Sequence, residues 1–246
     1  FIGDGGDDIY TGGLGTERID YRNAGSGVTV TFSSQGIGST SVDGFGGVDT
    51  FTGIEEVRGS YFADLLTGSG DDERFITLGG NDFVYGGAGY DVIRYDRAGV
   101  STVTVDLGAN TASGIWGGVA FTDTLYDIEE VRGSAGDDSL TGSALDDVIK
   151  AGGSNGYDQI FGTAGNDTID FGSGYTELKY GNLTAPVTIN LSTGLVDKGL
   201  NGTDTIVGFA GFNPNDGLGF AGTSGNDTFI GSDLTSSWVQ FIGDGG

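Results

Sequence analysis

The sequence predicts an all-β fold, a narrow solenoid of short strands stacked turn upon turn, and three observations carry that prediction. Glycine supplies 51 of 246 residues and proline only 2. Glycine does not recur every third residue, which excludes collagen, and 36% hydrophobic residues with aromatics along the whole chain argue against disorder. A turn-rich folded chain remains. The second observation is a unit of acid, any residue, apolar residue that returns every nine positions. The third is a set of longer phrases that recur above that short period.

The nine-residue step runs through Glu55/Val57, Asp64/Leu66, Glu73/Phe75, Asp82/Val84 and Asp91/Ile93. It resumes at Glu129/Val131, Asp138/Leu140 and Asp147/Ile149, and after a two-residue insertion at Asp158/Ile160 and Asp167/Ile169. Weaker copies stand at Asp8/Tyr10 and Asp227/Phe229. One apolar residue between polar ones is too brief for a helix face but suits a short strand, with about six residues of turn between strands. Two units make a turn of eighteen, so Leu66 is expected beside Val84 and Phe75 beside Ile93 in an apolar ladder. Val28–Phe32, Val103–Leu107 and Val187–Leu191 alternate apolar and polar residues and should continue the solenoid. Longer connections through SSQGIGSTSVDGFGG, GANTASGIWGGVAF and STGLVDKGLNG would follow them. Trp116 and Trp238 are read as filling or capping these loops in preference to forming exposed ligand platforms.

The phrase GVTVTF with GIEEVRGS is echoed by STVTVDL with DIEEVRGS and by PVTINL with TDTIVGF. The lead acids Asp8, Asp82 and Asp167 are 74 and 85 residues apart. Three pseudo-repeats, approximately 6–79, 80–164 and 165–246, are therefore expected within a single solenoid over 1–246. The hexamer FIGDGG both opens and closes the sequence. We read the chain as an internal piece of something longer, one 240-residue period of a tandem array plus six residues of the next copy.

Acids outnumber bases 35 to 10, the net charge is -25, and there is no His. Such a field repels phosphate, so neither nucleic acid nor an anionic membrane is an expected partner, whereas cations are. No Cys is present, which removes disulfides and thiolate metal sites. No apolar run approaches the ~18 residues of a membrane span.

Stacking sets each carboxylate beside that of the next turn: Asp64 by Asp82, Glu73 by Asp91. Without a counterion these pairs repel. A hard cation with about 6–8 oxygen ligands resolves the conflict, because carboxylates and the carbonyls of glycine turns are the donors Ca²⁺ prefers. Zinc and copper would want His or Cys, and magnesium tolerates an all-protein cage poorly.

GGNDFVYGGAGYDVIRY, GSAGDDSLTGSALDDVI and GTAGNDTID resemble the nonapeptide G-G-x-G-x-D-x-U-x of RTX (repeats-in-toxin) proteins, a known Ca²⁺-binding repeat. The resemblance implies a right-handed parallel β-roll with several Ca²⁺ ions between turns. It also implies carboxylate ligands from Asp8, Asp64, Asp82, Asp91, Asp138, Asp147, Asp158, Asp167 and Asp227. Carbonyls near Gly6, Gly80, Gly87, Gly89, Gly165 and Gly225 would complete the shells. Glu17, Glu55, Glu73 and Glu129 depart from the pattern, since an extra methylene displaces the carboxylate; Glu73 is kept as a weaker candidate ligand. Thr176 removes the carboxylate altogether.

With neither His nor Cys, triads that use those residues, and zinc-hydrolase sites, are impossible. Glu55-Glu56 and Glu129-Glu130 are carboxylate pairs, but both lie in one repeated phrase, IEEVRGS, as a structural part would, with Arg58 and Arg132 as ion partners. No enzyme activity is expected. The function that follows is a secreted structural module of a long extracellular or cell-surface protein, a filament, surface layer or adhesin stalk of bacterial origin. It would stay unfolded through a one-step secretion channel and fold on calcium outside. Its partners would be calcium ions and neighbouring copies of itself, joined covalently or head to tail. The alternatives are a C-terminal secretion module of an RTX enzyme, and a carbohydrate- or ice-binding surface.

Overall fold

The computed structural model describes residues 1–34, 36–97, 99–153, 156–208, 217–231 and 238–243. Among them the regular structure is β throughout, apart from one 3₁₀ turn at Gly199–Asn201. The chain divides into two compact units, Phe1–Ser101 with Asn110–Val131, and Thr102–Ala109 with Arg132–Gly246.

In the first unit, Arg18–Asp20, Glu56–Arg58, Arg74–Ile76 and Val92–Arg94 form one parallel ladder. Thr29–Ser34, Leu65–Thr67, Phe83–Tyr85 and Val119–Tyr126 form another. Leu66 pairs with Val84 and Phe75 with Ile93, the register that a turn of eighteen requires. Strand side chains alternate between faces, so each three-residue strand buries its central residue: Val57, Leu66, Phe75, Val84 and Ile93 have no exposed surface. The outward neighbours Phe83 and Tyr85 stay exposed.

The second unit repeats the plan. Ser139–Thr141, Tyr157–Phe161, Tyr175–Lys179, Gly217–Ala221 and Trp238–Ile242 run parallel, as do Val148–Lys150, Thr168–Asp170 and Thr203–Val207. Leu140, Ile160, Leu178 and Phe220 fill one ladder, and Ile149 and Ile169 the other.

The longer connections differ from plain loops. Thr29–Ser34 turns back on Ile37–Val42, Thr111–Trp116 on Val119–Tyr126, and Thr188–Asn190 on Leu195–Asp197, each pair antiparallel. Thr29–Thr31, Thr104–Asp106 and Thr188–Asn190 nevertheless align parallel with the next nonapeptide strand. Each alternating block therefore begins as a solenoid rung and then throws out a hairpin. Trp116 lies in one of these, half-buried and stacked on Tyr61 at 4.3 Å between ring centroids, as a capping residue should. The side chain of Trp238 lies outside the described residues.

Candidate metal centre

The repeat acids sit on the turns that precede the strands, apart from Asp158, which lies within Tyr157–Phe161. In seven of the aspartates one carboxylate oxygen accepts the backbone N–H of a residue one turn earlier. Asp82 Oδ1 takes the Asp64 N–H at 2.8 Å and Asp91 Oδ1 the Glu73 N–H at 2.8 Å. Asp158 Oδ1 takes that of Asp138 at 3.0 Å, and Asp167 Oδ1 that of Asp147 at 3.1 Å. Asp64, Asp138 and Asp227 take the N–H groups of Val28, Val103 and Val187. The stacked acids thus meet carboxylate to amide, which satisfies buried backbone donors.

What becomes of the second oxygen divides the turns into two kinds. In one kind, a Ser or Thr four residues before the acid closes the carboxylate with its hydroxyl and backbone N–H. Ser60 does this for Asp64, at 2.7 Å through each group, and Ser134 for Asp138 at 2.5 and 2.7 Å. Ser69 closes Glu73, Ser143 closes Asp147 and Thr223 closes Asp227 in the same way.

The other kind is open. Asp82 Oδ2, Asp91 Oδ2 and Asp158 Oδ2 are buried with no hydrogen-bond partner; the four-back position holds Leu78 for Asp82 and Gly87 for Asp91, and for Asp158 it holds Ser154, which lies outside the described residues. Burial pushes the carboxyls of Asp91 and Asp158 up to about 7. Asp82 is pushed to about 10, by burial first and then by the Asp123 and Asp64 charges. Glu17 Oε2, after Gly12-Gly13, is orphaned as well.

Glycine is required at these turns. Gly87 holds φ 114°, and a Cβ there would fall 2.0 Å from the Ser69 carbonyl oxygen. Gly165 holds φ 103°, with a Cβ 2.1 Å from the Leu145 oxygen. Such close approach of successive backbones, at positive φ, is open only to glycine. Gly6, Gly80 and Gly89 share the positive φ; Gly225 instead packs against the Pro186 ring.

Asp167 combines a hydroxyl with a cation: Thr163, four residues back, donates to its Oδ2 at 3.3 Å. The Lys198 ammonium, fully buried, bonds to Asp204 Oδ1, to Asp167 Oδ2 at 3.2 Å and to the Thr163 carbonyl at 2.7 Å. Asp8 is partly exposed; its N–H donates to Asp49 Oδ1 at 3.0 Å.

Sequence reasoning missed Asp49, Asp123 and Asp204. All three are fully buried, and each takes the N–H of a lead acid, Asp8, Asp82 or Asp167, at 3.0, 3.1 and 3.0 Å. Each is also held by a buried tyrosine hydroxyl, from Tyr21, Tyr95 and Tyr180 respectively, at 2.9, 2.9 and 2.7 Å. The tyrosines stand 74 and 85 residues apart, the spacing of the lead acids, and VDT, TDT and TDT surround the aspartates. That spacing was available as a signal.

Arg58 is corrected. Its ion partner is Asp20, at 3.0 Å, whereas Glu56 pairs with Arg18 at 3.1 Å and Arg94 at 2.7 Å. Neighbouring strand positions face opposite ways along a turn but align between turns, so Asp20 and Arg58 meet across the ladder. Glu55 and Glu129 act as the repeat acids do, accepting the N–H groups of Glu17 and Asp91. Thr176 turns its hydroxyl to the Phe171 carbonyl.

Among the described residues no three or more acidic side chains converge into a cage. A hard cation would therefore draw single orphaned carboxylate oxygens together with turn carbonyls. The open turns at Asp82, Asp91 and Asp158 fit that donor set, and the turns already closed by hydroxyl or ammonium do not.

No curated protein matches the chain. The family model for the RTX calcium-binding nonapeptide repeat matches residues 58–93, 123–155 and 153–178, in 4 copies. These segments hold most of the open and closed turns described above. Residues 58–93 and 123–178 of this all-β chain thus carry RTX calcium-binding nonapeptide repeats, a kind of repeat that binds Ca²⁺ at multiple sites.

Proposed function

We propose that this chain is a secreted, non-enzymatic structural module of a longer extracellular protein, and that it folds when calcium fills the open turns. The observation that carries the reading is the set of buried, unpartnered oxygens on Asp82, Asp91 and Asp158. A buried carboxylate oxygen without a donor or cation is costly, and a hard cation supplies what the chain lacks there. The ligands we assign are these three aspartates, with carbonyls of the turns at Gly79-Gly80, Gly86–Gly89 and Gly152-Gly153. Asp64, Glu73, Asp138, Asp147 and Asp227 hold backbone and hydroxyl groups, and Asp167 holds Lys198. Asp8, at the partly exposed lead turn, accepts the Tyr10 hydroxyl on Oδ2 at 3.4 Å and joins Asp82, Asp91 and Asp158 as a further ligand.

RTX repeats usually belong to secreted bacterial proteins, where millimolar external calcium matches the affinity of extracellular modules, about 10⁻⁴–10⁻³ M. Three copies of the Tyr–Asp constellation support the three pseudo-repeats. Phe1, Ile2, Ile9 and Leu14 are apolar and exposed, which supports a neighbouring copy covering that edge in an array.

Sedimentation velocity of the 246-residue chain, with chelator and then in millimolar calcium, tests the reading. The expected result is a slow, expanded species that becomes compact. A sedimentation coefficient independent of calcium would sink the proposal, and growth into large assemblies would place the joining of copies in non-covalent contacts.

A further inference from the structure

In a chain with only ten basic residues and a net charge of -25, three arginines surround one small cavity. Its lining is Arg22, Arg58, Tyr61, Leu78, Arg97 and Trp116, and its volume is about 120 Å³. None of the repeat acids lines it. The acid that answers the arginines is Asp20, whose Oδ2 lies 3.0 Å from Arg58 Nη1 and 3.0 Å from Arg22 Nη2. Three guanidinium charges thus stand against one carboxylate. The crowding registers on Arg58, whose affinity for its proton is lowered by burial first, with Arg18, Arg22 and Arg97 adding to it against the pull of Asp20.

Hydrogen bonding tells the same story independently of charge. Arg58 Nε, Arg97 Nε and Trp116 Nε1 are buried atoms with no acceptor. All three groups only donate, so the missing partner is an acceptor. Tyr61 and Trp116, stacked with an interplanar angle of 23°, form a flat aromatic wall beside them.

We propose that this cavity receives a single carboxylate, free or carried on a sugar ring. A carboxylate is a planar acceptor that matches the guanidinium fork. The field of the whole chain disfavours a multiply charged anion, while the local excess of arginine favours a single negative charge. The cavity is far smaller than the roughly 300–1,000 Å³ of a drug-sized site, so only a headgroup enters and any ring it carries rests on the aromatic wall.

Fluorescence of the full chain carrying Trp238→Phe, which leaves Trp116 as the sole indole, tests this in calcium buffer with acetate, glucuronate and glucose as probes. Saturable responses to the carboxylates and none to glucose are expected. Affinity for glucuronate about tenfold above that for acetate assigns a sugar-borne carboxylate, and equal affinities assign a free one. Arg97→Gln should weaken binding about tenfold or more. Calorimetry on Trp116→Phe, which keeps the ring but not its N–H, is a second arm and should also show a loss. No saturable response to either carboxylate, an equal response to glucose, or unchanged affinity in both variants overturns the proposal. Calcium uptake measured on the same samples keeps this result separate from the calcium reading, since none of the altered residues belongs to a calcium turn.

Discussion

At the scale of single residues, the side chain four positions before the acid separates closed turns such as that of Asp64 from open ones such as that of Asp91. A Ser or Thr hydroxyl turns Asp64, Asp138 or Asp227 into a closed turn, while Gly87 leaves Asp91 with an orphaned oxygen. Asp91→Asn should therefore lower the calcium stoichiometry, read by titration calorimetry. Ser134→Ala should leave that count unchanged and cost about 1–2 kcal/mol in chemical denaturation, since it removes a hydroxyl bond to a buried charge. Protonation offers a further check. Asp91 and Asp158 ionise near pH 7 in the metal-free fold, against about 3.9 unfolded. Between those values the native state binds more protons than the unfolded one, so metal-free stability is greatest at acid pH and falls as pH rises from about 4 to 7. Calcium, which takes the place of those protons, should flatten that fall, as thermal melts across pH with chelator and with calcium would reveal.

Elements repeat the same logic with different parts. The Tyr–Asp–lead-acid constellation occurs at Tyr21/Asp49/Asp8, Tyr95/Asp123/Asp82 and Tyr180/Asp204/Asp167, yet only the last contains a cation of its own, Lys198. That block should hold its hydrogen bonds without calcium. The amides of Asp167 and Thr205 are expected to stay protected from hydrogen exchange in chelator while those of Asp64 and Glu73 open. Lys198→Met should reverse this: it leaves two buried carboxylates uncompensated, at a cost of roughly 3–5 kcal/mol, and the block should then recover protection only with added calcium. Loss of protection at Asp167 in the unaltered chain to the same degree as at Asp64 would refute a resident cation.

Across the whole molecule, stability is a sum over stacked rungs, each contributing one or two fully buried apolar side chains and a few backbone bonds. Leu66→Ala and Ile160→Ala, one in each compact unit, should each cost about 2–5 kcal/mol in calcium-loaded denaturation. Because a rung contacts mainly its neighbours, each loss should register chiefly as lowered hydrogen-exchange protection within its own unit. A uniform loss across both units would mean the chain unfolds as one cooperative body. None of these substitutions touches a carboxylate, so calcium stoichiometry should be unchanged in both.

Periodicity alone determined the strand class, the eighteen-residue turn, and the pairing of Leu66 with Val84 and Phe75 with Ile93. All of these follow from local spacing, since a two-residue alternation and a fixed turn length leave one stacking register. Tertiary structure decided everything that depends on partners distant in sequence. The hairpin form of the longer strand-loop insertions was decided there, because GANTASGIWGGVAF and its counterparts can pair with themselves only once the rungs on either side hold their ends. Lys198 read as one residue of the connection STGLVDKGLNG until folding carried it to Asp167, 31 residues earlier. Arg58 found Asp20, 38 residues before it, in preference to the glutamates beside it. For Asp64, Asp138 and Asp91, whether the acid is closed or open to a cation was written four residues upstream of it. The meaning of that position lies in a buried hydrogen bond, and only the packed turn brings hydroxyl and carboxylate within reach.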